Sequence, residues 1–374
     1  MKNKKVLILF GSPGMGHFTA AQAVKEAFER KYPEVEIRVV DISEFSNIIF
    51  NRGYPYLYNN VVFKTPLLFR WAYDFFEKRT PQSILNQIFY LFLIKKKKFI
   101  SFIKDFSPDF ILSTHPLPSQ IISLTKQKHL IKILSANICT DFGPHYLWHN
   151  LDVNYYFVAN DKIKNYLTDH AIDLGKIKVT GIPVRQKFTE NHNVKKILDN
   201  LHFDGSFPVF LIVGGQIAHE ELLNIILKIK EKDQKAQFII VSGRDGKLQN
   251  SLKNSVLRND SSIKIFGLVD NMQELMAVSD LILSKTGGST MAECLVKGLP
   301  MIVNKVIPGQ EEDNVDYLVK NGAGIKASKT EEVAGIVIDL FSHREKLALM
   351  KENCRKIAKP NATIDIADFV VSLF

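Results

Sequence analysis

Residues 284–293 read SKTGGSTMAE, between a short apolar run, DLIL, and the stretch CLVKGLP. DLIL predicts a strand. MAECLVK predicts a helix that stops at the following glycine. A strand that ends in small residues and opens directly into a helix is one unit of a parallel α/β sheet. The free N–H groups at such a helix start, together with the helix dipole, favour a bound anion. Gly287 and Gly288 let a ligand approach the backbone, and Ser289 and Thr290 add hydroxyl donors. The stretch is neither a Walker loop nor a dinucleotide fingerprint, because GxxxxGK[ST] and GxGxxG are both missing from it. A purely structural reading also fits: Thr290 and Glu293 have the spacing of a capping box.

The same strand-then-helix rhythm runs outward in both directions. FPVFLIVGG, AQFIIVSG, IKIFG, DLILSKTGG and LPMIVN are five strand candidates in the second half. KKVLILF, EIRVVDI, DFILSTHP, IKILSAN, NYYFVAN and IKVTGIPV are six in the first. Between them residues 185–206 are polar and lose the rhythm. The pattern predicts an α/β chain with two Rossmann-like domains, residues 1–188 and 200–350. A last helix within residues 351–374 is expected to pack back across the linker. A chain of 374 residues suits two domains of middling size.

Composition narrows the class. Apolar residues make up 46% and charged residues 24%, as in soluble globular proteins. The apolar run at 6–10 is too short for a signal peptide and reads as a first buried strand. No stretch approaches the roughly 20 apolar residues of a membrane span. Cys139, Cys294 and Cys354 are few and far apart, which fits a reducing cytosol and not a disulfide framework or zinc site. The net charge of +10 is concentrated: residues 48–104 hold ten basic residues against two acidic ones. This segment is also aromatic and apolar, and includes Arg70, Trp71 and the run Lys95, Lys96, Lys97, Lys98. Such a mixture suits an interfacial helix on an anionic membrane surface. The alternative is a buried helix whose solvated end is the lysine run. No nucleic-acid recognition fold accompanies the charge.

Three clusters could carry chemistry. The turns VGGQ (213–216), SGRDG (242–246) and SKTGGST, with IPGQEEDN (307–314), all follow strands of the second half. They would share the carboxyl edge of one parallel sheet, where such sheets bind ligands. That edge would collect Arg244, Lys285, Gln310, Glu311 and Asn314, a set suited to a phosphate-bearing ligand with hydroxyl groups. GSPGMGHFTAA (11–21) places His17 at the start of the first helix, as a cap or as a group able to move a proton near neutral pH. CTDFGPHYLWHN (139–150) offers Asp141 and His145 as a base and its orienter. His145 and His149 have metal spacing, but a third ligand in register is missing. Asp-x-Asp, which often holds a cation on a nucleotide diphosphate, does not occur.

KTGGSTMAECLVKGLP, PGQEEDN, MGHFTAA, THP (114–116), TDFGPHYLWHN and VTGIPVRQKF resemble the glycolipid glycosyltransferases: monogalactosyldiacylglycerol synthases and bacterial processive diacylglycerol glucosyltransferases. The bacterial branch is more similar through CTDFGPHYLWHNLDVNYYFVAND. The resemblance implies a GT-B fold, two Rossmann-like domains facing across a cleft. It implies UDP-sugar held on the second domain. Gly287, Gly288, Ser289 and Thr290 would hold the diphosphate and Glu293 the ribose. Gln310 and Glu311 would read the sugar, with Asn314 supporting. Phe266 and Gly267 would border the uracil, Arg244 the phosphates, and Gly215 and Gln216 would close the cleft. His17, Asp141 and His145 would stand at the reaction centre, with His17 or Asp141 as base. The implied reaction needs no cofactor or metal. It is inverting transfer of a hexose, glucose before galactose, to diacylglycerol or a glycolipid, giving a β-linked product. The enzyme would work from the cytoplasm, peripheral on the inner face of the cell membrane. The alternatives are transfer of N-acetylglucosamine to a lipid-linked peptidoglycan precursor, and a catalytically inert lipid-surface or nucleotide-binding protein.

Overall fold

A computed structural model describes residues 4–12, 15–46, 95–150, 152–214, 217–304, 306, 309 and 311–374. The first half contains β1 (Lys5–Phe10), α1 (Met15–Lys31), β2 (Glu36–Asp41), α2 (Lys96–Phe106), β3 (Phe110–Ser113), α3 (Pro116–Gln127), β4 (Leu134–Ile138), β5 (Tyr155–Val158), α4 (Asp161–Asp169) and β6 (Ile177–Val179). A connecting helix, α5 (Val194–Leu201), leads to β7 (Val209–Val213), α6 (His219–Lys232), β8 (Gln237–Val241), α7 (Gly246–Lys253) and β9 (Ile263–Phe266). Then come α8 (Met272–Ala277), β10 (Leu281–Leu283), α9 (Gly288–Lys297), β11 (Met301–Val303), α10 (Glu312–Lys320), β12 (Gly324–Lys326), α11 (Glu332–Ser342), α12 (Arg344–Ile357) and α13 (Ala362–Val371).

Among the described residues the strands form two six-stranded sheets, ordered β2-β1-β3-β4-β5-β6 and β12-β11-β10-β7-β8-β9. Every pairing is parallel. Parallel strands need helical crossovers, which cover both faces, so the strands read as unbroken apolar runs. Val6, Leu7, Ile8 and Leu9 in β1 and Leu281, Ile282 and Leu283 in β10 are all fully buried. β12 was not among the strands expected from sequence. It is three residues long, sits at the sheet edge and begins with glycine, so it carries too little apolar pattern to register.

Each sheet has one place where strand order reverses. In the first it lies between β1 and β3, in the second between β7 and β10. The connections there leave in opposite directions and open a crevice at the carboxyl ends of the strands. The turn after β10 is the glycine turn at 284–288, and the turn after β1 leads to His17.

The last helix, α13, lies on α1. Asp368 accepts hydrogen bonds from Lys31 Nζ and Tyr32 Oη, each at 2.7 Å, and Phe369 meets Tyr155 and Phe157 edge-on. Ile366, Ala367 and Val370 complete the apolar core between α1 and the first sheet. The second crossing between halves is tied by Arg185, which donates to Glu26 of α1 at 2.7 Å.

α2 corrects part of the expectation for the basic segment. Its Phe99, Ile103 and Phe106 are buried on the first sheet, so this helix has no free apolar face to enter a bilayer. Lys95 is the N-cap residue of α2 and the rest of the lysine run is its first turn, with Lys95, Lys97 and Lys98 exposed; residues 84–94 of the alternative buried helix lie outside the described residues. Cations at a helix N-terminus oppose the dipole. Arg70, Trp71 and the side chain of Lys96 lie outside the described residues.

Candidate active site

The glycine turn and the first histidine are brought into contact by the seam between the two sheets. Ser289 Oγ donates to the Gly16 carbonyl at 2.9 Å, so the start of α1 touches the start of α9. Residues 140–143 of the first half press onto the second. A Cβ on Gly288 would lie 1.9 Å from the Thr140 carbonyl oxygen, and one on Gly143 would lie 2.0 Å from Asp313 Cβ. Asn314, 1% exposed, joins these pieces: its Oδ1 accepts from Phe142 N–H at 2.7 Å and its Nδ2 donates to the Thr286 carbonyl at 2.9 Å. It also hydrogen-bonds the Asp141 side chain. Lys162 of α4 pairs with Asp313 of α10 across the same seam, and Phe142 packs on Tyr317.

The two glycines therefore differ. Gly288 is required by the close approach of Thr140. Gly287, the residue before α9, has φ −63° and only Lys285 Cε, at 3.9 Å, near a built Cβ. Neither backbone strain nor packing demands glycine at 287. The N–H groups of Gly288, Ser289 and Thr290 meet no protein acceptor among the described residues, as expected of the first turn of a helix. Helix α9 begins at Gly288, so Thr290 sits inside it and the capping box does not form. Glu293 is left without a hydrogen-bond partner among the described residues.

The parallel pairing puts Arg244, Phe266, Gly267, Lys285, Glu311 and Asn314 at one edge of the second sheet. Arg244 and Lys285 are exposed, while Glu311 and Asn314 are buried. Gly215, Gln216 and Gln310 fall outside the described residues. His149 donates from Nε2 to the His170 carbonyl, away from a pairing with His145. Among the described residues, no group of three or more His, Cys, Asp and Glu gathers as a metal site.

The opposite wall holds three recessed imidazoles whose partners assign their protons. His17 Nδ1 lies 2.6 Å from the Thr114 carbonyl, which can only accept, so Nδ1 carries the hydrogen and Nε2 keeps its lone pair. Thr140 Oγ1, at 3.0 Å, is a second acceptor for it. In His115 and His145 the sense is reversed. Nδ1 accepts from the N–H of Leu117 and Leu147 respectively, so a neutral ring carries its hydrogen on Nε2. Thr114, His115 and Thr140 were not singled out by sequence as site residues. THP was visible as a motif, but only the fold shows that it ends the strand beside β1.

Comparison with known proteins follows this division of the chain. Residues 17–184 match the monogalactosyldiacylglycerol (MGDG) synthase family, and residues 209–366 match the glycosyltransferase family 28 C-terminal domain. The processive diacylglycerol beta-glucosyltransferase of Staphylococcus epidermidis is 31% identical over 93% of this chain and 88% of its own. That of Bacillus cereus is 30% identical over 100% of this chain and 94% of its own. The chain belongs to the processive diacylglycerol β-glucosyltransferase family. Its fold is GT-B. A Staphylococcus aureus MnaA–UDP structure superposes with TM-score 0.64 at 13% identity, covering 98% of this chain and 96% of its own. Acinetobacter baumannii MurG superposes with TM-score 0.60 at 16% identity, covering 99% of each chain.

In this glucosyltransferase family member burial shifts the site groups toward their neutral forms. Desolvation lowers His17 and His145 to about 4, and pushes His115 well below the usual imidazole value. It raises Asp141 to about 6, against the opposing hydrogen bond from Asn314 and with help from Glu311 and Asp313. It raises Glu293 to about 8, partly countered by Lys187 and Arg185.

Two outcomes follow from this geometry. Gly287→Ala should leave thermal stability within about 0.5 kcal/mol while weakening UDP binding, whereas Gly288→Ala should destabilise the fold by about 2 kcal/mol or more. Thermal melts and UDP calorimetry on both variants separate the two roles. The second outcome concerns Glu293. Were Glu293 to take the hydroxyls of a bound ribose, those donors would favour its carboxylate, lower its pKa and release a proton on binding. UDP affinity should then rise as pH increases toward about 8 and level off above it. Glu293→Gln should flatten that dependence in calorimetry across buffers.

Proposed function

We propose that this protein transfers glucose from UDP-glucose to the hydroxyl of diacylglycerol, with inversion at the anomeric carbon. The observation that carries this reading is the contact between Gly16 and Ser289, which brings the start of α1, where His17 stands, against the N-terminus of α9. The diphosphate rests on the N–H groups of α9, with Gly287 giving it room and Lys285 and Arg244 within the same edge. Glu293 takes the ribose. Phe266 and Gly267 border the base, and recognition of the sugar hydroxyls is assigned to Gln310 and Glu311. Asn314 is a positioning residue, because its own hydrogen-bonding groups are occupied at the seam.

In the reaction the acceptor oxygen attacks the anomeric carbon on the face away from UDP. The bond from that carbon to the β-phosphate oxygen breaks, and its electron pair leaves with UDP. Negative charge grows on the leaving diphosphate, where oriented N–H groups stabilise it without reorganising. The acceptor proton passes to His17 Nε2. The low proton affinity of His17 reflects desolvation by burial, partly offset by its hydrogen bond to the Thr114 carbonyl. A bound diphosphate brings negative charge to the facing wall and raises it. Ionised Asp141, anchored by Asn314, adds to the same field.

The acceptor is a membrane lipid, and no helix among the described residues is long and apolar enough to cross a bilayer. We assign the approach to the membrane to the exposed lysines at the start of α2, by attraction to anionic headgroups and not by insertion of that helix.

Incubation of UDP-glucose with diacylglycerol vesicles should yield a β-glucosyl lipid, identified by mass and anomeric coupling. His17→Ala should reduce kcat by about 10²–10⁴ and leave UDP affinity nearly unchanged. An α-linked product would overturn the single-displacement mechanism. In vesicle flotation, Lys95, Lys97 and Lys98 replaced together by glutamine should weaken binding to anionic vesicles. Binding that ignores lipid charge would remove the lysine run from the membrane contact.

A further inference from the structure

The reaction as derived uses one imidazole of the cleft floor, yet a second stands beside it. His115 ends the turn after β3, next to β1 in the sheet, and its ring meets that of His17 edge-on at 4.4 Å between centroids. Its orientation is held from two sides. Nδ1 accepts the Leu117 N–H at 3.0 Å and so caps α3, and Gly11 lies under the ring, where a Cβ would come within 3.0 Å of it. This leaves Nε2–H as the free end. Among the described residues neither His115 Nε2 nor His17 Nε2 has a protein partner, and neither is sealed from solvent. The cleft floor thus presents a hydrogen-bond acceptor and a hydrogen-bond donor side by side. A cap alone explains Nδ1 but not why an imidazole, instead of the better capping residues Asn, Asp or Ser, occupies the position.

An alcohol oxygen has one hydrogen to give and two lone pairs. Bound across these rings, it would donate its hydrogen to His17 Nε2 and accept from His115 Nε2–H. The remaining lone pair is then directed at the anomeric carbon. We propose that His115 binds the attacking hydroxyl oxygen of the lipid acceptor through Nε2–H and so aims its proton at His17. The proposal rests on the reading of His17 as base and adds the group that orients the nucleophile. Such orientation is a recognised share of catalytic power.

His115→Asn separates the two ends of the side chain. The asparagine oxygen still accepts the Leu117 N–H and caps α3, but its amide falls short of the Nε2 position. The expected result is a fall of about tenfold or more in kcat/KM for diacylglycerol in vesicles. The KM for UDP-glucose and the melting temperature should stay at wild-type values. His115→Gln, which extends an N–H toward the same point, should recover part of the loss. The proposal is overturned if His115→Asn keeps kcat/KM for diacylglycerol within twofold of wild type. It is equally overturned if the melting temperature and UDP-glucose KM change as much as the acceptor term, since that marks a structural role. His17→Ala run alongside tests the base by itself: full activity there removes His17, while the acceptor-specific loss in His115→Asn still decides the contact at His115. A wild-type protein inert toward diacylglycerol would remove both readings together.

Discussion

The seam at Thr140 and Gly288 governs the rest of the molecule. A backbone carbonyl from the first half occupies the space where any larger residue at 288 would put its side chain. Asn314 closes the joint by pairing with a backbone N–H from one half and a carbonyl from the other. Buried polar groups of this kind are costly unless every one is satisfied, so the arrangement tolerates little displacement. The two sheet edges are thereby registered to within a hydrogen bond, and Gly16 reaches Ser289. A cleft between two independently folded sheets would otherwise have no reason to keep an imidazole beside a helix start.

The electrostatics follow from the same closeness. Partial burial in the cleft moves its ionisable groups toward their neutral forms. Imidazoles fall and carboxyls rise, with desolvation the largest cause at His17, Asp141, His145 and Glu293. The positive end of α9 remains as a fixed partial charge that cannot titrate away. The N–H groups at that helix start suit an anion, and a bound diphosphate there would supply charge where the protein has withheld it and make the nearby imidazole a better proton acceptor.

The basic surface of α2 is simpler. Helix α2 spends its apolar residues on the first sheet and leaves lysines in solvent, where the helix dipole disfavours them. That unfavourable placement is a physical reason to look for an anionic partner outside the chain. A second apolar cluster on the same sheet includes α13, whose Asp368 and Phe369 bind it to the first half although it follows the second in sequence.

Much of this was legible in the chain before any coordinates. The apolar runs announced parallel strands because a strand covered on both faces has no polar side to show. SKTGGST announced a turn opening directly into a helix, and α9 does begin at Gly288. What stayed hidden was set by contacts distant in sequence. Local pattern made Gly287 and Gly288 equivalent, and only the Thr140 carbonyl distinguishes them. The spacing of Thr290 and Glu293 suggested a cap, but the helix begins two residues before Thr290 and frees the carboxyl. His17 was a candidate from its place at a helix start, whereas its proton position depends on Thr114, 97 residues away. The order of residues thus determined the strands, the turns and the kind of chemistry available, since these arise from neighbours along the chain. The tertiary structure alone decided which groups meet and in what protonation state, because burial and hydrogen bonding are properties of the packed interior.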